Sequence, residues 1–256
     1  KHNPEYEMID AQLTTEIFGL YAPGRPDMAV MMATLPIQTT AREESEWISA
    51  YYVRLFSLAS TTDSSLPIKQ QLFQLADQAA LELPTTSYPS AMYRYVKDLY
   101  ASGIPWEQAR DSVYQRYQVE QLDGYDISSR NMYCNGCFAA GINFASSLVS
   151  LFYGEGDLKE TIKIGALAGW DSDNPTATWG GLIGFMLGKE GVEKAFGRKF
   201  SNKFHIHRTR VNFPNEGIDT FESMTQKGLW IIDRVVMEEL KGGVDLNSNS
   251  WYIPKK

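Results

Sequence analysis

A chain of 256 residues, 43% of them hydrophobic and 21% charged, can bury a sizeable core and fits one domain. A net charge of −7 and a pI near 5.1 argue against generic nucleic-acid binding, which needs an excess of Lys and Arg to neutralise phosphates. The one basic run, His205-Ile206-His207-Arg208-Thr209-Arg210, suits a solvated segment or a loop over an anionic ligand.

Helical periodicity dominates from the start. Helices are expected over Ala11 to Tyr21, Asp27 to Ala33, Glu44 to Ala59, Ile68 to Leu81 and Ala91 to Ser102. The turn-rich stretches 23–26, 61–67 and 83–89 separate them. After Pro105, Trp106, Ala109, Val113 and Tyr117 share one helical face, and that helix ends before Gly124. Asn131 to Gly154 is uncharged and long enough for a bilayer, but Asn135, Asn143, Ser146, Ser147 and Ser150 interrupt it and no basic cluster flanks it. A buried central helix is the expectation, with no membrane span. Cys134-Asn135-Gly136-Cys137 lacks the second pair of a zinc site. Its spacing permits a local disulfide, buried thiols are the simpler reading, and the compartment stays open: cytoplasmic, or secreted if the chain is processed. Asp157 and Glu160 form a capping box for a helix running to Gly169, and a last helix covers Phe221 to Leu240. No alternating strand series and no fixed repeat appear. The resulting plan is all-α, with one domain over 1–240 and a surface tail over 241–256.

The chemistry concentrates in Gly169-Trp170-Asp171-Ser172-Asp173-Asn174-Pro175-Thr176, where two carboxylates and an amide fall within four residues between two helices. Clustered acids beside a core are costly without a cation, and oxygen donors suit Mg²⁺ or Ca²⁺ better than zinc. An EF-hand is excluded, because Pro175 and Thr176 stand where that loop needs glycine and further acceptors. The competing reading is an Asp-rich helix cap followed by an early proline. Gly180, Gly181, Gly184 and Gly188 in the next helix suit close helix packing, or close approach of phosphates to its first turn. Asn143, inside an apolar helix, needs hydrogen-bond partners, which a ribose or phosphate would supply. Trp170 and Trp179 flank the carboxylates and either stack on a base or pack in the core.

The order of these features, Tyr153-Gly154-Glu155-Gly156-Asp157, then a helix, then Gly169-Trp170-Asp171-Ser172-Asp173, then a glycine-studded helix, resembles the ADP-ribosylglycohydrolase family. The segment Gln12 to Ala29, with Glu16-Ile17-Phe18-Gly19-Leu20 and Ala22-Pro23-Gly24-Arg25-Pro26, is similar to a middle portion of it. The resemblance spans roughly residues 8 to 197. It implies an orthogonal helical bundle holding a pair of Mg²⁺ ions (Ca²⁺ or Mn²⁺ as alternatives) and hydrolysis of the glycosidic bond of an ADP-ribosylated protein or related ribosyl compound. By the same token Asp171, Asp173 and Asn174 are the expected metal ligands, although the family commonly has a hydroxyl residue at the Asn174 position. Gln12, Asn135, Gly136, Asn143, Trp170 and Ser172 are the expected substrate contacts. Members also carry an earlier Gly-Asp motif and a Thr-Asp-Asp motif, and this chain has neither. It therefore looks like the C-terminal part of the family domain, with the catalytic base and further ligands expected from a precursor or a second chain. A non-catalytic binding or structural relative is the alternative.

Overall fold

The computed structural model describes residues 3, 5–127, 137–206 and 211–255. Its contacts divide the chain into two compact units, Lys1–Ala195 and Phe196–Lys256. The division falls at 195/196, whereas the sequence suggested a single domain to 240 followed by a tail.

The first unit is helical: α1 (Asp10–Thr15), α2 (Ile17–Tyr21), α3 (Pro26–Thr40), α4 (Glu43–Ala59), α5 (Ile68–Ala80), α6 (Tyr88–Ala101), α7 (Trp106–Val113), α8 (Ala140–Gly154), α9 (Leu158–Ala168) and α10 (Asp173–Phe196). The expected helix over Ala11 to Tyr21 is two short helices meeting at Glu16. Pro26 opens α3 at a position where its missing N–H costs nothing, and the helix runs through Pro36 to Thr40, seven residues past the expected end. Packing of α3 along α4 outweighs the lost hydrogen bond. Beyond Val113 the backbone widens into a π-helix, Tyr114–Val119, with Glu120 N–H donating to the Gln115 carbonyl at 2.9 Å.

The central helix is α8, which packs on α9, α6, α7 and α4. It is buried along nearly its whole length, because it carries no charge and is covered on every side. It starts at Ala140 rather than Asn131; 131–136 lie outside the described residues, and Cys137 and Phe138 form a turn. Two glycines allow the close approaches: a Cβ on Gly141 would sit 2.5 Å from the Tyr125 ring, and one on Gly154 would sit 2.1 Å from Thr161 Oγ1. Aromatic rings fill the core around α8. Phe144 meets Tyr51 edge-on at 5.1 Å, and Tyr52 meets Trp179 at 5.7 Å. No helix among the described residues is long and apolar enough to cross a membrane.

The second unit joins two small antiparallel ribbons, β1 (Lys203–His205) with β2 (Ile218–Thr220) and β3 (Gly243–Asp245) with β4 (Ser250–Tyr252), to α11 (Phe221–Arg234) and a π-helical turn, Val235–Glu239. Thr220 caps α11 by accepting from Ser223 N–H at 3.1 Å. The expected tail is a hairpin, and Trp251 Nε1 donates to Asp233 at 2.7 Å. Three-residue strands carry too little alternation to be seen in sequence. The fold remains all-α in class.

Candidate active site

The carboxylate turn is built by the end of α9 and the start of α10. Asp157 caps α9 by accepting from Glu160 N–H at 2.8 Å. The reciprocal half of the capping box is absent, since the Glu160 carboxylate pairs with Lys163 at 2.8 Å. The helix stops at Gly169 (φ 103°), a conformation open to glycine at little cost. Trp170 follows with φ 55°, an unusual value for a bulky side chain, and its half-buried ring lies 6.4 Å from that of Tyr114. The chain then turns through Asp171 and Ser172, both half-buried, and enters α10 at the exposed Asp173.

Asp171 and Asp173 meet. Burial first, then a hydrogen bond with Asp173, then the charges of Asp173 and Asp10 push the Asp171 carboxyl up to about 6. Asp171 also lines a cleft of about 560 Å³ with Glu5, Met8, Ile9, Asp10, Leu13 and Phe138. The N-terminal segment makes one wall of that cleft by pairing with the entry to α8: Ile9 N–H donates to the Phe138 carbonyl at 3.0 Å, and Ala140 N–H to the Glu7 carbonyl at 2.8 Å. Among described residues the one group of three acids with ligand atoms within 4.8 Å of one another lies elsewhere, at Glu7, Glu43 and Glu44. It is an acidic cluster in which Glu7 is engaged by the Tyr88 hydroxyl.

Two buried amides hold the turn in place. Asn143 accepts from Asp171 N–H at 3.1 Å through Oδ1, while its Nδ2 donates to the carbonyls of Cys137 and Ala139 at 2.9 Å each. Its partners are thus backbone groups, and its role here is to tie the turn to the start of α8. Asn174, 3% exposed, points inward to α1. Its Oδ1 accepts from Gln12 Nε2 at 2.9 Å and lies 3.3 Å from Thr178 Oγ1, and its Nδ2 donates to Gln12 Oε1 at 3.4 Å. The oxygen expected to meet a metal is engaged with protein donors. Gln12 Nε2 further donates to Glu16 Oε1 at 3.0 Å and to Thr178 Oγ1 at 3.1 Å, and Thr178 Oγ1 donates to Glu16 Oε1 at 2.6 Å.

The structure therefore puts Asp171 on the cleft wall, with Trp170, Ser172 and Asp173 beside it in the turn, and sets Gln12, Asn143 and Asn174 behind them as a scaffold. Asn135, Gly136 and Cys134 lie outside the described residues, as do His207, Arg208, Thr209 and Arg210. Trp179 is fully buried and donates to the Ser147 carbonyl at 2.8 Å, the core role of its two alternatives. Close packing does not account for the glycines of α10: a Cβ on Gly180, Gly181 or Gly184 would make ordinary contacts at 3.5 to 3.9 Å, and Gly188 (φ 68°) marks a break in the helix. The cleft walls at Met8, Leu13 and Phe138 had no motif to reveal them. The Thr178 link did have a signal, since Gln12/Glu16 and Asn174/Thr178 are two polar i,i+4 pairs.

The ADP-ribosylglycohydrolase family model matches residues 5–220. No curated protein and no solved structure matches the chain. With most of its length matched, and with an all-α fold that presents the Gly-x-Asp-x-Asp turn at a cleft, the chain belongs to the ADP-ribosylglycohydrolase family, hydrolases of ADP-ribosyl linkages.

Proposed function

We propose that the chain is the Mg²⁺-binding part of a hydrolase that cleaves an N- or O-ribosyl bond in an ADP-ribosylated protein or a related ribosyl compound. The observation that carries this reading is the Asp171 carboxyl on the cleft wall, in hydrogen-bond contact with that of Asp173. Two carboxyls held together repel once both are ionised, and a hard divalent ion relieves that repulsion while gaining the oxygen donors it prefers. These two side chains fit Mg²⁺ as ligands. Asn174 serves as their support, because its oxygen is engaged from within. Two carboxylates leave most of six octahedral positions to water and to carboxylates of a second segment or polypeptide.

When bound, Mg²⁺ supplies orientation of the ribose hydroxyls and activation of water. In hydrolysis the water oxygen would bond to the anomeric carbon as the bond to the aglycone breaks with its electron pair, and the proton that the water gives up would end on the leaving atom. Positive charge develops at the anomeric carbon on the way, and Asp10 on the cleft wall is placed to stabilise it. The half-buried Trp170 ring offers a stacking face beside the turn for a flat ring of the substrate.

The test is ADP-ribose release from an ADP-ribosylated protein with and without Mg²⁺, using wild type, Asp171→Asn and Asp173→Asn. Each substitution keeps an oxygen donor but removes a charge, so both lower Mg²⁺ affinity and turnover while the fold survives. Mg²⁺-dependent stabilisation that persists unchanged in both variants would remove this turn from the metal site. Mg²⁺ binding without any ribosyl hydrolysis would favour the binding relative.

A further inference from the structure

The acid at the junction of α1 and α2 has no part in the chemistry just described. Glu16 stands one residue beyond α1, and its carboxyl is turned inward, where burial raises its pKa against the opposing hydrogen bonds from Thr178 and Gln12. Both of those donors reach the same oxygen, Oε1. Every other member of the cluster is nearly sealed from solvent: Gln12 and Thr178 are 2% exposed and Asn174 is 3% exposed. The cluster therefore has one end on α1 and the other in the first turns of α10, directly after Asp173.

Its hydrogen-bond logic runs in one direction. A carboxylate oxygen only accepts, so Glu16 Oε1 fixes the Thr178 hydroxyl as a donor toward it and draws Gln12 Nε2 to the same side. With Nε2 held there, the Gln12 carbonyl oxygen faces Asn174 Nδ2 and Asn174 Oδ1 accepts from Gln12 Nε2, the single Thr178 proton being committed to Glu16. Asn174 lies one residue after Asp173 and its own N–H donates to the Asp171 carbonyl at 3.0 Å. Locking the Asn174 side chain thus fixes the backbone from which both carboxylates project. Without Glu16 the Gln12 amide is free to flip and the Thr178 proton is free to turn to Asn174 Oδ1, so the single arrangement that holds Asn174 is lost.

We propose that Glu16 is a positioning residue for the carboxylate turn, acting through Gln12, Thr178 and Asn174 to set the separation of Asp171 and Asp173 for a divalent cation. This rests on the reading of that turn as the Mg²⁺ site. The identity of residue 16 then governs metal affinity without contact with the metal.

The experiment is a Mg²⁺ titration of the full chain by calorimetry, with melting of each metal-free variant to fix a temperature at which all are folded. Glu16→Met keeps the size of the side chain and deletes the acceptor. Glu16→Gln restores an oxygen, and Thr178→Val cuts the link from the α10 side. Glu16→Met and Thr178→Val each raise the Mg²⁺ Kd at least fivefold in folded protein, and Glu16→Gln stays closer to wild type than Glu16→Met does. A merely structural Glu16 lowers the melting temperature and leaves the Kd within fivefold. That result, with Asp171→Asn abolishing binding in parallel, overturns the role of Glu16 alone. If Glu16→Met does not fold, the Kd of Thr178→Val decides by the same threshold. Wild-type chain that takes up no Mg²⁺, or binding that Asp171→Asn leaves intact, overturns the metal reading and this inference with it.

Discussion

Replacing Asp171 by Asn should make the metal-free protein more stable at neutral pH, against the usual direction for a change at a functional site. The Asp171 carboxyl rises from 3.8 to about 6 on folding, through burial first and then through Asp173 and Asp10. Its folded-state pKa is the higher one, so between those values the folded chain holds more protons than the unfolded chain. Stability therefore falls as pH rises through that window, and the penalty is complete above about pH 6. At about 1.4 kcal/mol for each tenfold in proton affinity, the ceiling is about 3 kcal/mol. Asp171 is only half-buried, and solvent screening brings the expected effect down to about 1 kcal/mol. That is a rise of roughly 2–4 °C in melting temperature for a unit of this size. The assay is urea unfolding of wild type and Asp171→Asn in chelator from pH 4 to pH 7.5. The two curves should converge at the acid end and separate as pH rises through 6. Saturating Mg²⁺ should reverse the order, because a ligand at a hundred times its Kd stabilises wild type by about 2.7 kcal/mol and has little hold on the variant. A difference between the two proteins that does not change with pH would refute the reasoning, and so would a variant less stable than wild type at pH 7 in chelator.

Three further changes test the packing around the site. Gly154→Ala should destabilise strongly, since its Cβ would fall 2.1 Å from Thr161 Oγ1 and force α8 and α9 apart; a melting curve suffices. Gly181→Ala should do the opposite, gaining up to about 1 kcal/mol of helix propensity with no contact closer than 3.9 Å, as read by urea unfolding. Gln12→Leu should cost about 1–3 kcal/mol, because it leaves the buried Asn174 amide and the Thr178 hydroxyl short of partners, and unfolding at pH 7 would measure it.

The helices and the turn were legible because both are local. Apolar spacing, Pro105 at a helix start, and Asp157 as a cap act within a few residues, and α4 and α5 lie within one residue of their expected ends. Asp171 and Asp173 were legible because two acids in a three-residue span between helices form a pattern on their own. Helix ends set by neighbours were harder to place. The α3 helix runs through Pro36 because it lies along α4, and the second unit's ribbons form strands too short to alternate.

Sequence by itself determined the helical class, the family and the carboxylate turn, since each is written in short-range spacing. Tertiary structure alone decided what the polar residues around that turn do. Whether Asn174 faces out to an ion or in to Gln12 depends on α1, 162 residues earlier in the chain, lying against α10. Asn143 likewise spends its hydrogen-bonding groups on the Asp171 N–H, 28 residues away, and on the turn before α8. A buried amide must be satisfied by something, but sequence names only the need; the partner is whichever group the fold brings within 3 Å.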